Sequence, residues 1–332
     1  MIIISKIDEL NGKGLLIHHW DTDGICSAKL IIEKLGEKIT NNITPTLGNY
    51  FLTDEELSRC QGFDFIIIVD MSLPEENILT LAKNAKVLIF DHHLGKEIKS
   101  VFHHNPIIKG ENPDEYPSAS WIVNDYLQNP VNLHSILGII GDHEQKIKNN
   151  KTFNHLIENF CKKQDLTFEK LLQMAYLIDS NYKLGEKENV EKAPYYLLDN
   201  QTPADILEHE QWNKNIKHLN AEIEDILSEP IDSTQDIIMK TMNSKSNIIS
   251  TITRKIAWKH DKNTIVINNG YFTDENQLYV RTINADMKPM IQKGKQYGFK
   301  CGGKKEVLGA IIPKEKTKDF VDEIINYLNN HQ

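Results

Sequence analysis

At 332 residues the chain is too long for one average hydrophobic core, so two domains are expected. A composition of 40% hydrophobic and 26% charged residues excludes a disordered chain. The longest aliphatic stretch, FIIIV at 65–69, is strand-sized and cannot span a membrane. The net charge of −9 argues against a polyanion partner for the chain as a whole, but residues 231–332 hold 16 Lys+Arg against 11 Asp+Glu, while residues 1–230 hold 22 against 36. An acidic N-terminal part beside a cationic C-terminal part suits one lobe that holds divalent cations and one that holds phosphates.

The N-terminus, MIIISKIDEL, lacks a basic region followed by a long apolar run, so no secretory leader is expected. Three short apolar runs then alternate with helical patterns. GLLIHH (14–19) precedes SAKLIIEKLGEK (27–38), FDFIIIVD (63–70) precedes PEENILTLAKNA (74–85), and KVLIFDHH (86–93) is the third run. This rhythm predicts a parallel sheet with strands buried on both faces. PSASWIVNDYLQN (117–129) reads as a helix capped by Ser118 or Ser120, and HSILGIIGDHE (134–144) as another ending near Gly141-Asp142.

From 151 to 228 the pattern is helical, with apolar residues at i, i+3, i+4 in FNHLIENFCKK (153–163) and FEKLLQMAYLIDSNY (168–182). ADILEHEQWNKNIKHLNAEIEDILSE (204–229) reads as one long helix joining two lobes, and Pro230 to Ser233 marks a boundary. After it, DIIMKTM, STITRKIAW, NTIVINNGYF and QLYVRTINA read as strands, and TKDFVDEIINYLNNH as a closing amphipathic helix. The cysteines (Cys26, Cys60, Cys161, Cys301) form no CxxC pair, which fits reduced thiols and a cytoplasmic location.

Four groups of oxygen and imidazole ligands each follow an apolar run. The first is His19-x-Asp21-x-Asp23-Gly24, where a spacing of two puts side chains on one side of an extended chain. If the strand ends near His19, all three emerge at its carboxyl end, the edge at which open parallel sheets bind ligands. Gly24 permits a tight turn into the next helix. Asp70 ends the second run, Asp91-His92-His93 the third, and Asp142 lies in GIIGDHE. Singly, each has a bland alternative: a hydrated acidic loop, a helix cap or a polar turn. Jointly they suit two cations about 3.5–4 Å apart that activate a water for in-line attack on phosphorus. Carboxylates with a minority of histidines favour Mn2+ over Mg2+ or structural Zn2+. The chain has no serine or cysteine nucleophile motif, Walker loop or dinucleotide fingerprint to compete with this.

HHWDTDG, IVDMS, DHH and GIIGD resemble the four motifs of the DHH phosphoesterase superfamily, in that family's order. CGGKKEVLGA (301–310) is similar to the glycine-rich substrate loop of the DHH-associated domain, DHHA1, and YVRT (279–282) to its arginine strand. The resemblance implies an α/β fold, with a parallel-sheet DHH domain (1–200) joined by a helical linker (201–230) to a smaller α/β DHHA1 domain (231–332). It further implies that His19, Asp21 and Asp70 hold one metal and Asp23, Asp70, His92 and Asp142 a second, with Asp70 bridging. His93 would complete the catalytic set by touching the scissile phosphate, and Asp91 would orient its neighbours. Arg281 would grip a substrate phosphate through its guanidinium fork, and Gly302 and Gly303 would offer backbone N–H groups. Lys304 stands where the family usually has histidine, and Cys301 at the first glycine position.

The HxDxDG spacing differs from the HxxxDxD of family II pyrophosphatases, and GIIGD from the TDTG-like motif of oligoribonuclease and cyclic-dinucleotide members. It resembles RecJ-type and archaeal RecJ-like proteins, including Hef-associated and GINS-associated nucleases. The implied activity is an exonuclease on single-stranded DNA or RNA, acting in DNA repair with two Mn2+ (or Mg2+). Its implied partners are single-stranded nucleic acid and replication or repair proteins of the helicase or GINS type, with no membrane. The alternative is a nanoRNase or cyclic-dinucleotide phosphodiesterase. A non-catalytic replication scaffold predicts eroded ligands, whereas every ligand position here is filled.

Overall fold

The computed structural model describes residues 6–200, 202–234 and 236–330. The residues read above for a leader lie partly outside this range, as does His331 of the closing helix. The chain divides into two compact units, one of residues up to 182 with 186–216, the other of 183–185 with 217–332.

The first unit is built on a five-stranded sheet: β1 (Gly14–His18), β2 (Ile39–Ile43), β3 (Phe65–Val69), β4 (Lys86–Phe90) and β5 (Phe102–His104), in the order β2-β1-β3-β4-β5. All neighbours are parallel. The three central strands are the three apolar runs. The two edge strands, ITNNI and FHH, are interrupted by polar residues rather than aliphatic throughout and escape the sequence pattern. Alternate residues of the central strands feed two cores: Leu15, Ile17, Ile66, Ile68, Val87 and Ile89 enter one. Leu16, Phe65, Ile67, Val69, Leu88 and Phe90 enter the other. Burial on both faces is why these strands read as continuous aliphatic runs.

Around the sheet lie α1 (Thr22–Leu35), α2 (Asp54–Arg59), α3 (Glu75–Leu81), α4 (Ala119–Tyr126), α5 (Leu133–His143), α6 (Lys151–Gln164), α7 (Phe168–Lys183), α8 (Lys187–Asp199) and α9 (Pro203–Leu207). Ser118 is the cap of α4, its hydroxyl accepting from the Trp121 N–H. The single long helix expected over 204–229 is instead two, α9 and α10 (Glu210–Ser228). The imidazole of His209 accepts from the Trp212 N–H at 3.2 Å, which satisfies a first-turn donor and starts a new helix.

The second unit is a six-stranded mixed sheet ordered β10-β11-β9-β8-β7-β6. Its strands are β6 (Asp232–Ser233), β7 (Ile237–Met242), β8 (Asn263–Asn268), β9 (Glu275–Arg281), β10 (Lys300–Lys304) and β11 (Val307–Pro313). Only β7 and β8 are parallel. Its helices are α11 (Ile249–His260), α12 (Lys288–Gln296) and α13 (Lys314–Asn329). STITRKIAW, expected as a strand, lies in α11. Ile249, Ile252, Thr253, Ile256 and Ala257 are its buried residues, a helical period that overrides the β-branched composition. The expected glycine-rich loop is a hairpin of β10 and β11, with Gly302 and Gly303 on an edge strand. Among the described residues, no helix is long and apolar enough to cross a membrane.

Candidate metal centre

Strand register assembles the centre. His18, Val69 and Phe90 lie side by side on β1, β3 and β4. The residues that follow, His19, Asp70 and Asp91, therefore leave the sheet in one row at its carboxyl edge. Backbone bonds continue the ladder one step further: His19 N–H donates to Val69 O (3.3 Å), Asp70 N–H to Phe90 O (2.9 Å) and Asp91 N–H to His104 O (3.2 Å). Asp70 takes a left-handed conformation, φ 57°, which aspartate tolerates better than most residues.

Asp21 and Asp23 arrive differently from the extended-chain expectation. β1 stops at His18, Asp21 is the N-cap of α1 and accepts from the Gly24 N–H (3.1 Å), and Asp23 lies in the helix's first turn. Asp23 is fully buried and accepts from the N–H groups of Ala119 (2.6 Å) and Ser120 (2.9 Å) at the start of α4. Asp142 comes from the last turn of α5.

The sequence-predicted ligands converge. His19 Nδ1 lies 2.8 Å from Asp21 Oδ2 and 3.6 Å from Asp70 Oδ2. His92 Nε2 lies 3.3 Å from Asp70 Oδ1, 3.1 Å from Asp142 Oδ2 and 4.0 Å from Asp23 Oδ2. Three groups bring one ligand atom per residue within 4.8 Å of one another: His19 with Asp21 and Asp70, Asp23 with His92 and Asp142, and Asp70 with His92 and His93. His93 Nδ1 is held by Asp91 Oδ1 at 2.7 Å and its side chain is 45% exposed.

These groups fit a cation. Both oxygens of Asp70, both ring nitrogens of His19 and Nε2 of His92 are buried, and although carboxylates and imidazoles crowd within 2.8–3.6 Å of one another, none of these atoms finds a partner in good hydrogen-bonding geometry. Buried polar atoms rarely stay unpaired in a folded protein, and carboxylate oxygens beside imidazole nitrogens form a metal donor set. The electrostatics agree. Burial, then Asp23 and Asp21, drive the Asp70 carboxyl well above its usual range. Burial and Asp142 push Asp23 up to about 6. Burial opposes the charged forms of His19 and His92, yet neighbouring carboxylates outweigh it and raise both imidazoles. Burial also opposes ionisation of Asp21, but His19 holds it below the usual carboxylate range. Carboxylates crowded at this density repel one another, and a positive charge relieves them.

Several supporting residues escape sequence reading. Asp179 of α7 is buried and accepts from the Thr22 N–H (2.9 Å) and hydroxyl (2.7 Å), fixing the turn that carries Asp21 and Asp23. Its signal is an acid among the buried positions Leu171, Met174, Ala175 and Ile178 of α7. Asn105 donates to the carbonyl of His93 at 2.9 Å and so steadies the DHH turn. Gly138 matters for space: a Cβ there would meet Ser120 Oγ and Asp23 Oδ1 at 1.9 and 2.3 Å, so a side chain would displace Asp23.

The predicted substrate residues lie in the second unit. Lys304 pairs with Val307, which pairs with Arg281, so the two cations flank one strand of the sheet. Gly302 and Lys304 are exposed and Arg281 half-buried. Gly303 has φ 145° and sits where a Cβ would meet Val307 O at 2.0 Å, so glycine is required there.

Residues 14–151 match the DHH family, N-terminal domain. No curated protein sequence matches the chain. Among solved structures, RecJ of Thermus thermophilus in complex with Mn2+ is similar at a TM-score of 0.70 and 16% identity, covering 96% of this chain and 52% of that one. The chain thus spans about half the length of that RecJ. The pGpG-specific phosphodiesterase PggH of Vibrio cholerae is similar at a TM-score of 0.56 and 15% identity, covering 96% of this chain and 100% of the other. CDC45 of Entamoeba histolytica reaches a TM-score of 0.51 at 9% identity, covering 94% of each chain. At these identities the likeness is one of fold. Residues 14–151 thus carry a DHH-family N-terminal domain, in which four segments rich in carboxylates and imidazoles meet at one sheet edge, and the chain has a RecJ-like fold.

Proposed function

We propose that this chain is a two-metal phosphodiesterase that degrades single-stranded DNA or RNA from an end, with Mn2+ as the working cation. The observation that carries the reading is Asp70, whose Oδ2 faces His19 and whose Oδ1 faces His92. One buried carboxylate thereby serves two ligand sets. His19, Asp21 and Asp70 would hold one cation, and Asp23, Asp70, His92 and Asp142 the other. Bound there, a divalent pair supplies Lewis acidity, lowering the pKa of water and drawing charge from phosphate.

The chain's own groups do the rest. Asp91 fixes His93 through Nδ1 and leaves Nε2 as the ring's contact to a phosphate oxygen. Asp179 and the amides of Ala119 and Ser120 hold the α1 turn and Asp23 before substrate arrives. Such preorganisation is how a site stabilises charge that develops only in the transition state. In the second unit, Arg281 and Lys304 would bind substrate phosphates, Arg281 as a fork and Lys304 as a point charge. Gly302 and Gly303 would present backbone N–H groups.

The test is digestion of 5′- and 3′-labelled DNA and RNA of several lengths with Mn2+, beside an Asp70→Ala control. Shortening of long strands from one end supports the reading. Activity confined to the shortest oligonucleotides would replace it with a nanoRNase-type phosphodiesterase. Undiminished activity in Asp70→Ala would overturn the site.

A further inference from the structure

Two of the chain's three arginines, Arg254 and Arg281, point at the same tryptophan. Each guanidinium carbon lies 5.6 Å from the Trp258 ring centroid. Arg254 and Trp258 are i, i+4 neighbours on α11, while Arg281 ends β9. Trp258 is 65% exposed, whereas Trp20 and Trp212 are 4% and 3% exposed. At 5.6 Å both guanidiniums lie within the roughly 6 Å range of a cation–π pair, yet Trp258 stays largely in solvent.

The sheet beneath continues this surface. Residues paired across antiparallel strands share a face. Leu278 and Val280 of β9, with Leu308, Ala310 and Ile312 of β11, enter the core built with α12 and α13. The opposite face therefore carries Arg281 and Tyr279, with Val307 and Gly309 beside them on β11 and Lys304 and Gly302 on β10. Gly309 and Gly302 pair directly, and nothing lies within 4 Å of a Cβ built on Gly302. The Tyr279 ring leans over Gly309, 3.6 Å from a Cβ built there, so the bare position is Gly302, next to a row holding Arg281 and Lys304. Lys300, on the same face, pairs with Glu275 at 3.4 Å.

We propose that this face docks an unpaired nucleic-acid strand, with Trp258 as the platform on which one nucleobase stacks. Arg254, Arg281 and Lys304 neutralise the phosphates beside it, and the bare edge at Gly302 gives the backbone room. Exposed aromatics beside guanidiniums bind single strands with little sequence preference, because every base offers a π-face. A duplex cannot use the platform, because its bases are already stacked and paired. The proposal takes its ligand class from the nucleic-acid reading above but needs no hydrolysis.

The experiment titrates the full chain, in EDTA so that no strand is cut, with an oligothymidylate of about a dozen nucleotides. Binding should quench tryptophan fluorescence. Trp258→Ala should remove most of that quench and weaken binding by about tenfold, and Trp258→Phe should restore most of the affinity. Arg254→Gln should reduce the salt dependence of binding. A duplex of the same length should compete poorly. Unchanged affinity in Trp258→Ala, or a duplex that competes as well as the single strand, would overturn the platform. Because cations are chelated throughout, failure here leaves the phosphodiesterase reading untouched. Absence of Mn2+-dependent hydrolysis would in turn leave this result standing.

Discussion

The carboxyl edge of the parallel sheet and the exposed cationic patch of the mixed sheet are built on opposite terms. At the first, Asp23, Asp70 and Asp91 are essentially excluded from water, and each is placed by strand register or a helix end. At the second, Trp258 and Lys304 stand in solvent on regular elements, with Arg281 and Lys304 placed by cross-strand pairing and Arg254 by the helix that carries Trp258. A buried, mutually repelling cluster is rigid and depends on what fills it. An exposed cationic face is tolerant of substitution and sensitive to salt. The first suits chemistry on one phosphate, the second suits holding a chain of them.

Changes at the two places should therefore fail differently. Asp70→Ala should lower kcat for Mn2+-dependent hydrolysis by about three orders of magnitude, because it strips both ligand sets at once. Single-turnover rates at saturating substrate measure it. Arg281→Ala should act mainly on KM, by about tenfold, with kcat little changed and a shallower salt dependence. Equal losses of kcat in both variants would erase the distinction between the regions.

A smaller effect separates burial from charge crowding. His134 in α5 is buried, and desolvation, helped by Lys29, lowers its imidazole to about 3. The unfolded chain binds this proton near pH 6.5, so its neutral form contributes stability that is complete above that pH. The contribution is lost as pH falls from about 6.5 toward 3, at a slope of at most about 1.4 kcal/mol per pH unit. Urea unfolding of the wild type and of His134→Asn at several pH values checks this, and the variant should show the flatter acid limb. Asp70 carries the opposite sign. Its raised carboxyl favours the metal-free fold at low pH, and that stability is lost as pH rises. Mn2+ should recover it above neutrality.

Much of this was legible in the sequence, for physical reasons that also mark where legibility ends. Strands buried on both faces must be aliphatic throughout, so β1, β3 and β4 announced themselves, and the ligand-type residues following them located the edge. The edge strands β2 and β5 bury little, and their sequences carry no such pattern. STITRKIAW has the β-branched Ile and Thr of a strand, although its buried residues repeat at helical spacing in α11. The break before α10 turns on one imidazole that caps a helix, which no hydropathy pattern encodes. Asp179 was hidden because it is distant in sequence from Thr22, whose turn it holds. The Trp258 cluster joins residues of α11 and β9, and only the fold brings them together.

The most direct test is anomalous diffraction from crystals soaked in Mn2+. Two peaks about 3.5–4 Å apart, flanking the Asp70 carboxylate, are expected. A single peak, or none within reach of Asp70, would contradict a dinuclear centre shared through that residue.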